Sequence, residues 1–242
     1  MPRGAPDDSN IRIESGVYRL DDMAELAVRL GSPMAYHRYG TVLVLDGFED
    51  GINGWTKVRN GTSSDVVASV TQSYQGKTAC KLVSGTGITP NASIGKYLPP
   101  VDECNTAIQL TLGIDTNLVR FEVALTYGKA PYVYYFRIRY THATGVLAYY
   151  DVGGSYVDFA DCGVLWDQGA NWHNLKLVID TEDKEYVRCY LDNVNYSMAD
   201  LTPNKASWTL GAFLGPVVQV VGALATSTTM YIDNVIVTFN EF

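Results

Sequence analysis

From residue 41 onward, apolar and polar residues alternate with a period of two, in short runs broken by Gly, Asn, Asp and Pro. That period places successive side chains on opposite faces of an extended chain, which is the signature of half-buried strands. It predicts strands over 41–48, 66–71, 78–83, 106–114, 118–126, 132–140, 145–151, 174–180, 185–192, 207–213, 217–224 and 230–239. Strands this short and this evenly spaced argue for an antiparallel sandwich or barrel rather than βαβ units. Within 132–140, Tyr132, Tyr134, Phe136, Ile138 and Tyr140 share the predicted core face, and Val133, Tyr135, Arg137 and Arg139 share the other. In 174–180, Leu175, Leu177 and Ile179 face inward; in 185–192 the alternation assigns Val187, Cys189 and Leu191 to one side and Tyr186, Arg188, Tyr190 and Asp192 to the other.

The first forty residues follow a different rule. Residues 1–18 are polar, with Gly4, Pro2 and Pro6, and read as an extended arm. Over 20–30, Leu20, Met23, Ala24, Ala27 and Leu30 recur at helical spacing, behind Asp21 and Asp22 at the end where negative charge favours a helix. Gly31 and Pro33 close it. A helix of about three turns is marginal alone in water, so its apolar stripe needs a docking surface. The chain therefore divides into an arm with a short amphipathic helix, 1–40, and a β-domain, 41–242.

Composition narrows the partners. The 242 residues carry a net charge of −8 with no Lys/Arg run, which argues against phosphate-neutralising contact with nucleic acid. The longest apolar stretch, 211–225, is broken by Gly215, Pro216, Gln219 and Gly222 and is too short for a membrane span. The first ten residues lack the apolar core of a secretory signal, so synthesis in the cytosol without a signal peptide is expected. Seventeen Tyr against seven Phe favour surfaces where a ring is half-buried and its hydroxyl stays wet. Cys80, Cys104, Cys162 and Cys189 show no zinc-site spacing and read as small apolar residues more readily than as disulfides.

No catalytic constellation stands out. His37, His142 and His173 lack a metal-binding partner at the usual offsets, and no nucleophile elbow or phosphate loop occurs. His173 beside Trp172 at a strand start suits a structural hydrogen bond. Asp180, Glu182, Asp183 and Glu185 read as a solvated hairpin turn rather than an acid/base pair. Glu122 is a lone acid inside an apolar strand.

Three stretches carry a resemblance: Asp46-Gly47-Phe48-Glu49-Asp50-Gly51 with Gly54-Trp55; Trp172-His173-Asn174-Leu175 running to Asp180 and the strand ending Asp192-Asn193; and Met230-Tyr231-Ile232-Asp233-Asn234-Val235. The first and third resemble the opening and closing strands of jelly-roll carbohydrate-binding modules, and the second resembles strands of concanavalin-A-like and laminin-G-like sandwiches. The resemblance implies an all-β, antiparallel jelly-roll sandwich. It also implies a structural calcium ion held by Glu49 and Asp233, with no other cofactor required.

Two functional classes follow. The favoured one is a non-catalytic structural subunit of a larger assembly, such as a virion accessory or capsid-decoration protein, pairing with itself or other subunits through Leu20, Met23, Ala27 and Leu30. The other is a glycan-binding module using Tyr135, Arg137, Arg139 and Tyr150 on one sheet face. A concanavalin-like glycoside hydrolase or lyase is a weaker third class, because the paired carboxylates are missing.

Overall fold

A computed structural model describes residues 40–241, apart from 101, 116 and 167–170. The helix expected over 20–30, with Leu20, Met23, Ala27 and Leu30, lies outside the described residues.

The described residues form sixteen strands and no helix. In chain order they are β1 (Thr41–Asp46), β2 (Thr56–Thr62), β3 (Asp65–Ser69), β4 (Ala79–Val83), β5 (Thr86–Gly95), β6 (Asn105–Ile114), β7 (Arg120–Lys129) and β8 (Tyr132–Thr141). Then follow β9 (Val146–Tyr150), β10 (Tyr156–Asp161), β11 (Trp172–Asp180), β12 (Glu185–Leu191), β13 (Val194–Ser197), β14 (Asn204–Ser207), β15 (Phe213–Val221) and β16 (Thr229–Phe239). They pair into two antiparallel eight-stranded sheets. Sheet A runs β13-β12-β11-β6-β16-β4-β3, with β1 on the second half of β16. Sheet B runs β10-β9-β8-β7-β15-β5-β2, with β14 on the first half of β8.

The core lies between the sheets. Alternate residues of sheet B (Phe121, Val123, Leu125, Phe136, Ile138, Leu147, Val218 and Val220) meet those of sheet A (Ile108, Leu110, Leu112, Leu175, Leu177, Ile232 and Val235), and all are fully buried. The period-two reading of 132–140 holds for Phe136, Ile138 and Tyr140; Tyr132, at the strand end, is exposed.

Two expectations fail, each for a local reason. Residues 207–213 do not form one strand: β14 ends at Ser207, and a loop carries the chain to Phe213. In β12 a register irregularity opposite Val178 and Ile179 pairs Ile179 with Tyr186 but Val178 with Arg188. The extra residue, Val187, drops out of the alternation, so Tyr186 joins Cys189 and Leu191 in the core.

That bulge has a structural use. On one side of β8, β14 covers Tyr132–Tyr135 and β9 covers Ile138–Thr141, which leaves a gap at residues 136–137. Tyr186 crosses the core from sheet A and fills it. Its hydroxyl accepts the Arg137 N–H at 2.8 Å and lies 3.1 Å from the carbonyls of Arg137 and Tyr150. Its ring packs edge-on against Phe136 and Tyr149. Burial pushes the phenol pKa up, so the hydroxyl keeps its proton.

Candidate functional site

The outward face of sheet B forms a cleft. Its walls follow from three glycines and three rings. Gly128 on β7 and Gly215 on β15 sit beneath Phe213: a Cβ on Gly128 would stand 2.3 Å from the ring, and one on Gly215 3.2 Å. Glycine inside a strand often marks such a close approach. With the floor cleared, Phe213 packs against Tyr97 and Trp208, each with ring centroids 5.2 Å away. Trp208 is fixed by its backbone N–H to the Pro131 carbonyl and its indole N–H to the Gly211 carbonyl. Gly95 on β5 leaves the neighbouring floor open beside Val217.

Thr56, Val58, Ser93, Lys96, Thr126, Val133 and Tyr135 complete this part of the cleft, about 280 Å³ in volume. It continues past Thr126 and Val217 into a smaller recess of about 70 Å³, bounded by Glu122, Ala124, Arg137 and Gln219. The larger part is near the low end of the usual range for small-molecule sites, about 300–1,000 Å³, and has their composition of apolar walls with a few polar groups.

Tyr135, Arg137, Arg139 and Tyr150, expected together on one face, are together. The Arg137 guanidinium lies 5.0 Å from the Tyr135 ring centroid and 5.4 Å from that of Tyr150. Arg139 does something different. Its Nε and Nη2 both donate to Glu122 Oε1, at 2.9 and 2.7 Å, and its guanidinium stacks 3.4 Å over the Tyr156 ring. Tyr156 completes the cluster by donating its hydroxyl to Glu122 Oε2 at 2.8 Å. Burial, reinforced by the Glu122 charge, pushes the Tyr156 pKa up. Glu122, alone in the sequence, thus has cross-strand partners that only the register supplies.

Glu49 and Asp233, from opposite ends of the β-domain, converge on residues 74–78. Glu49 Oε1 accepts the Lys77 and Thr78 N–H groups at 2.7 and 2.9 Å. Asp233 Oδ2 accepts those of Tyr74 and Gln75, both at 3.0 Å. Asp233 is fully buried. Burial raises its pKa, and the nearby Glu49 charge adds to the rise. The backbone bonds to Thr78 and Lys77 instead lower that of Glu49. These are hard oxygen donors of the type calcium takes. No group of three or more His, Cys, Asp or Glu side chains converges among the described residues, so further ligands would have to be carbonyls and water.

Other sequence candidates are structural. His173 Nδ1 lies 2.8 Å from Asp192 Oδ2 and its Nε2 3.1 Å from the Trp166 carbonyl. Trp55 is buried, with its indole N–H on Asp46, and Trp172 covers Gly113. All four cysteines are free thiols; Cys80 and Cys189 are buried, and burial raises the Cys80 pKa to about 12.

The sequence reading did not find Tyr97, Trp208, Phe213, Lys96 or Gln219. The strand glycines Gly128 and Gly215 were the available signal.

No family profile and no curated protein matches this chain. Solved structures do. An endo-β-1,4-glucuronan lyase from the fungus Trichoderma reesei is similar at a TM-score of 0.59 and 12% identity, over 82% of this chain and 96% of that one. A cellulose-induced protein gives 0.55 and 15%, over 81% and 96%. A carbohydrate esterase from a Shiga toxin-encoding bacteriophage gives 0.53 and 15%, over 84% and 100%. The fold is the jelly-roll β-sandwich. At these identities the likeness is one of fold alone.

Proposed function

We propose that this chain is a non-catalytic glycan-binding protein whose site is the cleft on the outward face of sheet B. The observation that carries the reading is the wall of Tyr97, Phe213 and Trp208 beside a polar floor. Rings of this kind stack on the apolar faces of sugars, while Ser93, Thr126, Arg137 and Gln219 offer hydrogen bonds to hydroxyls. That the similar folds include a glucuronan lyase and a carbohydrate esterase supports a carbohydrate ligand. The non-catalytic part rests on Glu122. Among the described residues it is the one carboxylate lining the cleft, and Arg139 and Tyr156 already hold it, so no second described acid stands beside it to share glycosidic chemistry. Titration calorimetry against oligosaccharides tests the reading. Trp208→Ala and Phe213→Ala should each abolish measurable binding while the fold remains. Binding unaffected by both substitutions overturns the assignment, and bond cleavage by the purified protein overturns the non-catalytic part.

A role as a virion accessory subunit, assembling through residues 1–40, is compatible with this cleft, since a particle surface is a place where host glycans are met. Removing residues 1–40 should then leave glycan binding intact and abolish incorporation into particles. We also propose a structural calcium ion at Glu49 and Asp233, which would neutralise two carboxylates converging on one loop.

A further inference from the structure

We infer that the ligand is an acidic glycan whose carboxylate is read by Arg137; this rests on the glycan-binding reading above and specifies its substrate class. Three observations lead there.

The first is the state of Arg137. Among the described residues no carboxylate lies within ion-pair distance of it and no side-chain acceptor engages it, whereas its neighbour Arg139 is fully engaged by Glu122. The chain has 26 acidic residues against 18 basic ones, so the absence of an ion-pair partner for this arginine among the described residues is not for want of acids. Of the acids on the same face, Glu122 lines the recess but is taken by Arg139 and Tyr156, and Asp158 and Asp161 of the exposed edge strand β10 stand outside the cleft lining.

The second is how firmly Arg137 is held. The rings of Tyr135 and Tyr150 flank its guanidinium, and its backbone N–H is tied through Tyr186 to the opposite sheet. A guanidinium fixed in this way loses little freedom on binding, and its planar fork matches a carboxylate with two parallel hydrogen bonds.

The third is the company it keeps. Gln219 lines the same recess, and among the described residues its side-chain amide has no hydrogen-bond partner. At the other end of the cleft, Lys96 likewise has no carboxylate within ion-pair distance among the described residues and lies 5.5 Å from the Trp55 ring centroid. The free charges lining the cleft are thus both positive, in a protein that is negative overall. A neutral sugar would leave Arg137 without a counter-charge; a uronic acid supplies one at the scale of a single pyranose ring.

The test uses the full chain at low ionic strength and measures affinity by titration calorimetry for a panel of uronic-acid oligosaccharides. Each is compared with the same oligosaccharide after reduction of its carboxylates to alcohols, and with a sulfated neutral oligosaccharide. An acidic oligosaccharide should bind about 10- to 100-fold more tightly than its reduced form, as expected for a charge-assisted hydrogen-bonded pair. Arg137→Gln should erase that ratio, Arg137→Lys should restore part of it, and thermal melting should show both variants folded. Equal or tighter binding of the reduced sugars, or a ratio unchanged in Arg137→Gln, overturns the inference and leaves glycan binding standing. Preference for the sulfated ligand over every uronate overturns the carboxylate assignment. Binding of none of the ligands overturns both this inference and the function on which it rests.

Discussion

Removing one hydroxyl, in Tyr186→Phe, separates the contribution of the bulge in β12 from that of the ring it turns inward. The phenol is 1% exposed, and its oxygen accepts the Arg137 N–H at 2.8 Å. Phenylalanine keeps the ring contacts with Phe136 and Tyr149 but leaves that N–H buried without an acceptor. The carbonyls of Arg137, Tyr150 and Tyr135, which share the one hydroxyl proton, are the lesser cost, because under-satisfied carbonyls are tolerated better than orphaned N–H groups. An unsatisfied buried donor costs about 1–3 kcal/mol, so about 2 kcal/mol is expected. For a domain of this size that lowers the melting temperature by roughly 4–8 °C. Urea unfolding measures the loss, with an unchanged slope showing that the exposed surface is the same. Hydrogen exchange adds a local reading: the Arg137 amide should lose protection more than the amides of β6. A loss below about 0.5 kcal/mol, with Arg137 protection unchanged, would refute the argument that Tyr186 fills the gap between β14 and β9.

Four further outcomes are expected. Lys176 and Glu241 form a buried pair at 2.8 Å, with side chains 2% and 0% exposed. Burial lowers the Lys176 pKa. Glu241→Ala should therefore cost about 3–5 kcal/mol in urea unfolding, while Lys176→Met with Glu241→Leu should be close to neutral. Calcium should raise the melting temperature and a chelator lower it, and Asp233→Asn should remove the response; a wild-type melt indifferent to both reagents eliminates the ion. For His173, burial alone would lower the pKa, but the bonds to Asp192 and Trp166 outweigh it and raise the value above 6.5. For Asp192 burial acts upward, but the bonds to His173 and Asn174 prevail and lower the value below 3.8. The histidine's stabilisation is complete below pH 6.5 and is lost as pH rises through its folded pKa; the aspartate's is present above pH 3.8 and is lost as pH falls through its own. Unfolding measured from pH 4 to 8 should show the pair's contribution peaking at about pH 5–6, and His173→Gln should flatten that peak. Gly128→Ala should leave the fold intact but displace Phe213, changing tryptophan fluorescence and weakening glycan binding together.

Period-two alternation located most of the long strands because each has one face on the core; it passed over β5, where Gly87, Pro90 and Gly95 break the run. It missed β2, β10, β13 and β14, which are largely exposed and have few buried side chains to set an alternation. It misplaced Tyr186 because a bulge changes the parity of a strand, and nothing in Glu185–Leu191 announces one. The face bearing Tyr135, Arg137 and Arg139 was legible, since parity alone defines it. The partners were not: Glu122 reaches Arg139 through the β7–β8 register, and Tyr97, Trp208 and Phe213 meet from separate loops and strand ends.

The cleft combines two kinds of position with different freedom to change. Tyr97 and Trp208 lie beyond the ends of β5 and β14, so substitution there disturbs no ladder. Arg137 is tethered through Tyr186 to the hairpin of β11 and β12 in the opposite sheet. Ring shape, and with it the outline of the ligand accepted, can drift by single steps. The backbone that carries the charge at the floor can shift only if both sheets move together. A laboratory lineage selected on new sugars would therefore be expected to alter its rim first and keep its guanidinium.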